Sequence, residues 1–424
     1  MDIFKNNKKF AIFFLASTLS ILTSGMTAFS VGVFIFKTSH SAFIKSMISL
    51  VSFIPTILIE PFAGLLADRF DRRKLMIIGD SLSIIGLMII LYAIKTQDGN
   101  YLLIGLGSFV SSLFASLIAP ASKATISDIL SKEDYISAEG LLQISNAGKF
   151  ILSPILAVFV VGKWGIDKVI YIDTLSVFTT IYALAYISKG LKLTKAKIKT
   201  SYIDDFKYGL SSLRDEKAIF MLLAFTMVLT FMVGLIEELA TPLILSFSTD
   251  KNLSITLAVG ALGMVFSSAY LGFKGLGRDK VKTLLISSLI AGLAMVGFGL
   301  RENLILISIS AFLLFLTLPI FNTICNYYIR VLIANDLQGR IFGLMSSLSQ
   351  IGYLIAYASS GFMAEYVFDP LVKESLGKNG VLAYIVGPGQ GRGIGLSIIF
   401  FGLVLIILSL IIAQSPALKE IKET

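Results

Sequence analysis

The chain has 424 residues, 55% of them hydrophobic and only 15% charged, with a mean hydropathy of +0.85. A soluble chain of this size carries about 25% charged residues, so composition excludes a soluble globular protein and makes the bilayer span, about 20 apolar residues, the structural unit. The single cysteine, Cys325, excludes an intramolecular disulfide, and the net charge of +9 is informative only once its placement is counted.

Twelve apolar segments can be drawn in chain order: 10–36, 42–66, 75–94, 101–120, 138–161, 167–188, 218–246, 253–273, 283–300, 303–327, 341–364 and 393–413. The first follows Lys5, Lys8 and Lys9. It is too long for the apolar core of a signal peptide and no small-x-small cleavage site follows, so it reads as an uncleaved span. Continuous apolar runs, rather than strict alternation, select helices, and helices satisfy their own backbone groups in lipid. The expected fold class is an all-α integral membrane protein with 12 transmembrane helices in two pseudo-symmetric six-helix bundles.

The basic residues give an orientation. With the N-terminus placed inside, 25 of the 36 Lys and Arg fall in inside segments and 10 in outside loops or their margins, while Lys149 lies within a span. That bias predicts both termini in the cytoplasm. The longest inside interruption, with "KGLKLTKAKIK" and "YIDDFKYGLSSL", separates the sixth and seventh spans. Ile203, Phe206, Tyr208, Leu210 and Leu213 stand among charges there, which fits either a short helix on the membrane surface or a flexible linker with a helical end. The predicted organisation is therefore an N-terminal bundle (1–188), a cytoplasmic linker (189–217) and a C-terminal bundle (218–424). The halves echo one another. Pro120 precedes Gly140 by 20 residues and Pro319 precedes Gly339 by 20, and "FKGLGRDKVK" (273–282) is a basic counterpart of the loop after the second span. Such repeats are common in secondary transporters, whose substrate site lies between the halves.

Charges inside a span are costly and are functional candidates. Glu60 is expected in the second span toward the cytoplasm, Lys149 near the middle of the fifth, Asp173 one to two turns into the sixth, and Glu237 and Glu238 toward the outer end of the seventh. Burial penalises the ionised Glu60 carboxylate and a nearby Lys149 would favour it, a balance that suits a proton-coupling group. The alternatives are a fixed Glu60–Lys149 ion pair, a glutamate reaching the inner headgroups, or a Lys149 that holds an anionic substrate. Glu237 and Glu238, about 100° apart around a helix, cannot face one cavity equally. One is a candidate for a cationic drug or a proton, the other for the outer interface.

The stretch Gly64-Leu-Leu-Ala-Asp68-Arg69-Phe-Asp71-Arg72-Arg73-Lys74 follows the second span. It resembles the pattern G-x-x-x-D-R-x-x-R-[RK] of the major facilitator superfamily. Asp71, where the commonest version has glycine, is similar to the macrolide-efflux branch of bacterial drug exporters. "FKTSHSA", "ILSPILA", "YIDTLS" and "GRIFGL" point to the same branch, so the resemblance covers the whole chain. Glu60-Pro61 resembles the clostridial type of tetracycline efflux protein. Span five departs from the antiporter signature, reading Ser153-Pro154-Ile155-Leu156 where that signature has Gly-Pro followed by glycines. The resemblance implies the major facilitator fold, a drug:proton antiporter, a monomer, and a conformational latch at Gly64, Asp68, Arg69, Arg72, Arg73 and Lys74. Asp68 and Arg72, four residues apart, can pair, and Asp80 joins the latch as a further partner for Arg72 or Arg73.

No G-x-x-x-x-G-K-[ST] supports an ATP-driven pump, the glycines of "GPGQGRG" (387–393) stand in an outside loop rather than between strand and helix, and the lone His40 and Cys325 offer no metal site. No nucleophile–base pair suggests an enzyme. The expectation is a proton-coupled exporter of macrolide- or tetracycline-like amphipathic drugs in the bacterial cell membrane. Its partners are a small amphipathic substrate, protons and the lipid bilayer, with no cofactor, no metal and no nucleic acid. The alternatives are an exporter of a lipid, siderophore or metabolite on the same scaffold, and a non-transporting membrane receptor or scaffold.

Overall fold

The computed structural model describes residues 4, 7–96, 100–130, 134–188, 217–277, 279–332, 335–377, 386–387, 389 and 391–414. Of the predicted linker, only Lys217 falls among them. Fourteen α-helices carry the fold among these residues: α1 (Lys8–Ser39), α2 (Ala42–Arg69), α3 (Arg72–Lys95), α4 (Tyr101–Ala115), α5 (Ile118–Ile129), α6 (Tyr135–Trp164), α7 (Ile166–Ser188), α8 (Lys217–Leu245), α9 (Asp250–Lys274), α10 (Lys280–Leu300), α11 (Leu304–Leu332), α12 (Asn335–Phe362), α13 (Asp369–Gly377) and α14 (Arg392–Ala413). Among the described residues ten helices are long and apolar enough to cross a membrane. The remaining two span positions are filled by α4 with α5 and by α12.

Side-chain acceptors set several helix starts. Asn7 accepts from the Phe10 N–H at 3.1 Å, and α1 ends where His40 turns left-handed at φ 51° and returns its N–H to Phe36 O. Asp71 is the N-cap of α3, accepting from the Arg73 N–H at 3.1 Å, and Asp279 is the N-cap of α10, accepting from the Lys282 N–H at 2.8 Å. Asn100 Oδ1 takes the N–H groups of Leu102 and Leu103, and Asn303 Oδ1 those of Ile305 and Leu306. Each acceptor satisfies donors that have no partner within the helix.

Two predicted spans are irregular. The fourth is interrupted at Ser116–Leu117, so 101–120 is not one helix. Pro120 does not end the span; it lies in the first turn of α5, where its missing N–H breaks no intrahelical bond. The eleventh runs through a π-helical turn, Met363–Phe368, directly into α13.

The chain forms two compact units, one of Met1–His40 and Met47–Ile198, the other of Ser41–Ser46 and Lys199–Thr424. In the first, α1 packs on α6 and α7, and α3 packs on α4, α5 and α7. In the second, α8 packs on α12 and α14, α10 on α11 and α14, and α9 on α11. Four pairings recur in equivalent order, α1–α6 with α8–α12, α1–α7 with α8–α14, α3–α4 with α10–α11, and α3–α7 with α10–α14. Two six-span bundles with one plan follow from that correspondence.

Small residues set the helix spacing. An ideal Cβ on Gly25 of α1 would lie 2.6 Å from Ser153 Oγ on α6, and one on Gly107 of α4 would lie 2.7 Å from Gly86 O on α3. Close backbone approach through glycine is the usual packing device where lipid competes with side chains for apolar contact. An apolar core at one end of the first unit joins Phe10 and Phe13 of α1, Met76 of α3, Ala121 of α5 and Leu184 of α7. Large apolar side chains such as Leu102, Tyr182, Ile305 and Phe273 point outward, as lipid-facing residues do.

Candidate functional site

The motif after the second span is built on two helices. α2 carries Glu60, Gly64, Asp68 and Arg69 in helical backbone, while the side chains of 60–69 lie outside the described residues, so the expected Glu60–Lys149 and Asp68–Arg72 pairs are not described. Asp71 is the pivot of what is described. Its Oδ1 caps α3 and lies 3.3 Å from Arg73 Nε, with Arg73 buried. A carboxylate at a helix N-terminus is favoured by both the free N–H groups and the helix dipole. Sequence reading took Asp71 only as a mark of family branch. The signal was present, since an aspartate directly before an apolar periodic run is a cap pattern. Arg72 is half-buried and Lys74 exposed.

Asp80 sits two turns into α3 and is 3% exposed, with Oδ2 buried and without a hydrogen-bond partner among the described residues. On α7, across the α3–α7 packing, Asp173 is 6% exposed. Its Oδ1 accepts from Thr23 Oγ1 of α1 at 2.9 Å. Ser176 Oγ lies 2.8 Å from Thr23 Oγ1 and donates to Asp173 O at 2.7 Å. The first bundle thus holds two buried carboxyl groups, one hydrogen-bonded and one with an oxygen that has no hydrogen-bond partner among the described residues. Lys149 of α6 is exposed, its stem close to Gly25 of α1 and one turn before Ser153, whose hydroxyl donates to Leu22 O at 2.8 Å.

In the second unit the adjacent glutamates of α8 have different partners. Glu238 is buried and ion-paired with Lys45, Nζ to Oε2 at 2.8 Å, and the same ammonium donates to Glu238 O at 3.1 Å. Glu237 is half-buried and accepts from Tyr357 Oη of α12 at 3.0 Å. Tyr353 lies one turn before Tyr357, with ring centroids 6.1 Å apart. The about 100° between neighbours on a helix accounts for the split. Lys45 belongs to the start of α2, where Ser41 Oγ donates to Glu365 Oε2 at 2.7 Å and the Phe43 N–H donates to the same oxygen at 3.1 Å. Glu365 stands in the π turn, so the irregular helix supplies a carboxylate to the start of α2. Sequence reading placed Lys45 with the outer-loop cations; its partner is 193 residues away and left no local trace.

What the geometry provides is a set of carboxyl groups with distinct partners, Asp173 on Thr23, Glu238 on Lys45 and Glu237 beside the Tyr353–Tyr357 ring pair. Among the described residues no group of His, Cys, Asp or Glu could hold a metal ion.

Comparison with known proteins agrees in fold and class. Macrolide efflux protein A of Streptococcus pyogenes is 22% identical over 373 residues, covering 87% of this chain and 92% of that protein. The lysophospholipid transporter LplT of Yersinia enterocolitica is 24% identical over 265 residues, 60% of this chain and 62% of that one. A crystal structure of the nucleoside transporter NupG superposes with a TM-score of 0.73 over 95% of this chain and 99% of that chain, at 13% identity, a likeness of fold. The model of the Major Facilitator Superfamily matches residues 13–357. With twelve span positions in two bundles of one plan and a family match over most of its length, the chain is a membrane transporter, not an enzyme, and belongs to the Major Facilitator Superfamily.

Proposed function

We propose that the protein exports amphipathic drugs of the macrolide or tetracycline type across the bacterial plasma membrane, as a monomer driven by inward proton flow. The observation that carries this reading is the near end-to-end similarity to macrolide efflux protein A. Buried and half-buried carboxylates within the spans, Asp80, Asp173, Glu237 and Glu238, support coupling to protons, because such groups are rare in lipid unless they serve transport. The charge bias along the sequence supports cytoplasmic termini and a cytoplasmic 189–217 linker. Glu60 and Lys149 remain the coupling pair to test beside these, and Gly64 to Lys74 the latch that biases the opening of the cytoplasmic side.

The similarity to LplT favours a second reading, movement of a single-chain phospholipid. One experiment separates the two. The protein is expressed in a bacterial host lacking its own drug exporters and challenged with macrolides and tetracyclines, with and without a protonophore, beside an assay of labelled lysophospholipid movement. A rise in the inhibitory concentration of a drug that vanishes with the protonophore supports drug export. Unchanged susceptibility together with lysophospholipid movement would replace it with the lipid reading.

A further inference from the structure

In the second unit, α9 and α11 meet closely through glycine. A Cβ on Gly263 would collide with Phe312 O, and one on Gly260 would lie 3.1 Å from the Phe315 ring. Toward the starts of the two helices the contact passes to hydroxyls, Thr256 Oγ1 lying 3.2 Å from Ser308 Oγ. Here the surface carries a cavity of about 330 Å³, lined by Val259 of α9 and by Leu304, Ile305, Ser308, Ile309 and Phe312 of α11. Ser308 is small where the rest of that face of α11 is Leu, Ile and Phe, which leaves the space. Phe312 closes its far end, held edge-on by Phe266 of α9 with ring centroids 5.8 Å apart.

The groove faces away from the bundle. Ile305 and Ile309 are exposed, and so are Ile255, Leu262 and Phe266 along α9. On a membrane span such side chains meet lipid tails. The lining is apolar apart from the Ser308 hydroxyl, which is paired with Thr256, so water finds few partners there. Depth narrows the occupant further. From Leu304 to Phe312 is about 12 Å of helix, against about 15 Å of hydrocarbon in one leaflet. The groove also begins at the membrane end of α11, directly after its cap Asn303. At the same end, Lys251 in the first turn of α9 leads the series Lys251, Ile255, Val259, whose four-residue spacing keeps it on the groove side. Of the charged groups nearby, Glu302 faces Arg392 at 3.6 Å and Asp250 has Oδ1 buried, while the Lys251 side chain is exposed.

We propose that this groove binds one anionic phospholipid, with an acyl chain lying between α9 and α11 down to Phe312 and the phosphate held at Lys251. Three features select that ligand. An apolar slot open to lipid takes a hydrocarbon chain. A depth close to that of one leaflet takes a chain anchored at its own membrane surface, not a compact apolar molecule. A lysine at the surface end attracts an anionic headgroup. The bound lipid is a resident component that fills the gap between two helices of the C-terminal bundle. It is separate from the buried carboxyl groups, and the site stands whether or not the protein exports drugs.

The test is photolabelling of the purified full-length protein in phosphatidylcholine nanodiscs. The probe is phosphatidylglycerol carrying a diazirine in one acyl chain, and peptide mass spectrometry reads the labelled positions. Label within Leu304–Phe312 is expected to saturate at a low probe fraction and to be displaced by unlabelled phosphatidylglycerol, but not by inorganic phosphate. Ile309→Trp puts an indole into the groove and leaves the Thr256–Ser308 pair intact. It is expected to lose most of that label while label beside Leu102, exposed on α4, is unchanged. Lys251→Gln is expected to raise the half-saturating probe fraction about fivefold, the worth of one lysine toward an anionic headgroup. If Ile309→Trp does not fold, Val259→Phe fills the groove from α9 and is read the same way. Label that grows linearly with probe and equally on α4 and α11 is contact with bulk lipid and overturns the proposal. So does saturable label that the filling variants leave in place, or a half-saturation that Lys251→Gln does not move. Displacement by a macrolide but not by phosphatidylglycerol makes the groove a drug site, and loss of label on forming a dimer makes it a contact between copies; either result also overturns it.

Discussion

Lys45 and Glu238 show how much a single contact can carry inside the membrane. Both side chains are about 7% exposed, and one ammonium serves the Glu238 carboxylate and its backbone oxygen. Lys45→Ala leaves an unpaired buried carboxylate, which costs about 3–5 kcal/mol. The expected outcome is a lower melting temperature and poorer recovery of the purified protein. The double variant Lys45→Met with Glu238→Gln is expected to recover most of that loss, because no buried charge remains; a double variant as unstable as the single one would contradict the pairing. Neither residue could be matched from sequence. Lys45 stands inside an apolar segment, the property that drew attention to Lys149, yet its partner becomes a neighbour only after folding. Asp80 is similar. Arg72 and Arg73 precede it by eight and seven residues, and its burial on α3, with Oδ2 lacking a hydrogen-bond partner among the described residues, emerges only on folding.

At the scale of the element, most of the fold was legible because helix and bilayer impose the same rule on the sequence, a run of apolar residues about 20 long. The interruption of the fourth span was less so. Pro120 marks irregularity, but whether a proline ends a helix or starts one depends on which neighbour supplies the broken hydrogen bond. The π turn at Met363–Phe368 is announced only indirectly, by Pro370 just beyond it, whose missing N–H cannot bond the carbonyl of Tyr366 within the turn. The caps were readable and the glycine contacts in part. Asp71→Ala and Asp279→Ala each remove a cap from an equivalent helix, and each is expected to cost about 1 kcal/mol, read as a similar fall in thermal midpoint. A large loss in one and none in the other would show that the two corners are not equivalent. Gly86→Ala places a methyl against Gly107 O and Ser111, so α3 and α4 must separate and the folded yield falls. Gly162→Ala on α6 meets nothing within 4 Å and is expected to be neutral or to stabilise by up to about 1 kcal/mol through helix propensity. Thermal unfolding of the two variants side by side checks both.

For the whole molecule, composition alone set the class, and the count of basic residues set the expected sidedness. Cys325 makes that sidedness easy to measure, since the one native thiol is buried. Lys251→Cys is exposed at the start of α9 and is expected to react with a membrane-impermeant maleimide added to intact cells, whereas Lys419→Cys should react only after lysis. The reverse pattern would invert the orientation. The substrate was not legible at this scale. It depends on which of many aromatic and methionine side chains face a cavity, and the repeated two-bundle plan is shared by transporters of very different cargo, as the fold likeness to a nucleoside transporter illustrates.

The paired caps bear on how such a chain arose. Asp71 and Asp279 start equivalent helices, and so do Asn100 and Asn303, each asparagine taking the N–H groups two and three residues ahead. Around them the residues of the two halves differ almost everywhere. That is the pattern left by duplication of an ancestral gene followed by long divergence: any apolar residue can replace another against lipid, while a helix corner needs a particular short polar side chain at a fixed place. The first copy is a few residues longer from cap to cap than the second, so insertions or deletions were accepted between the corners and the corners themselves were kept. An alignment of the two halves is therefore best anchored on these four residues.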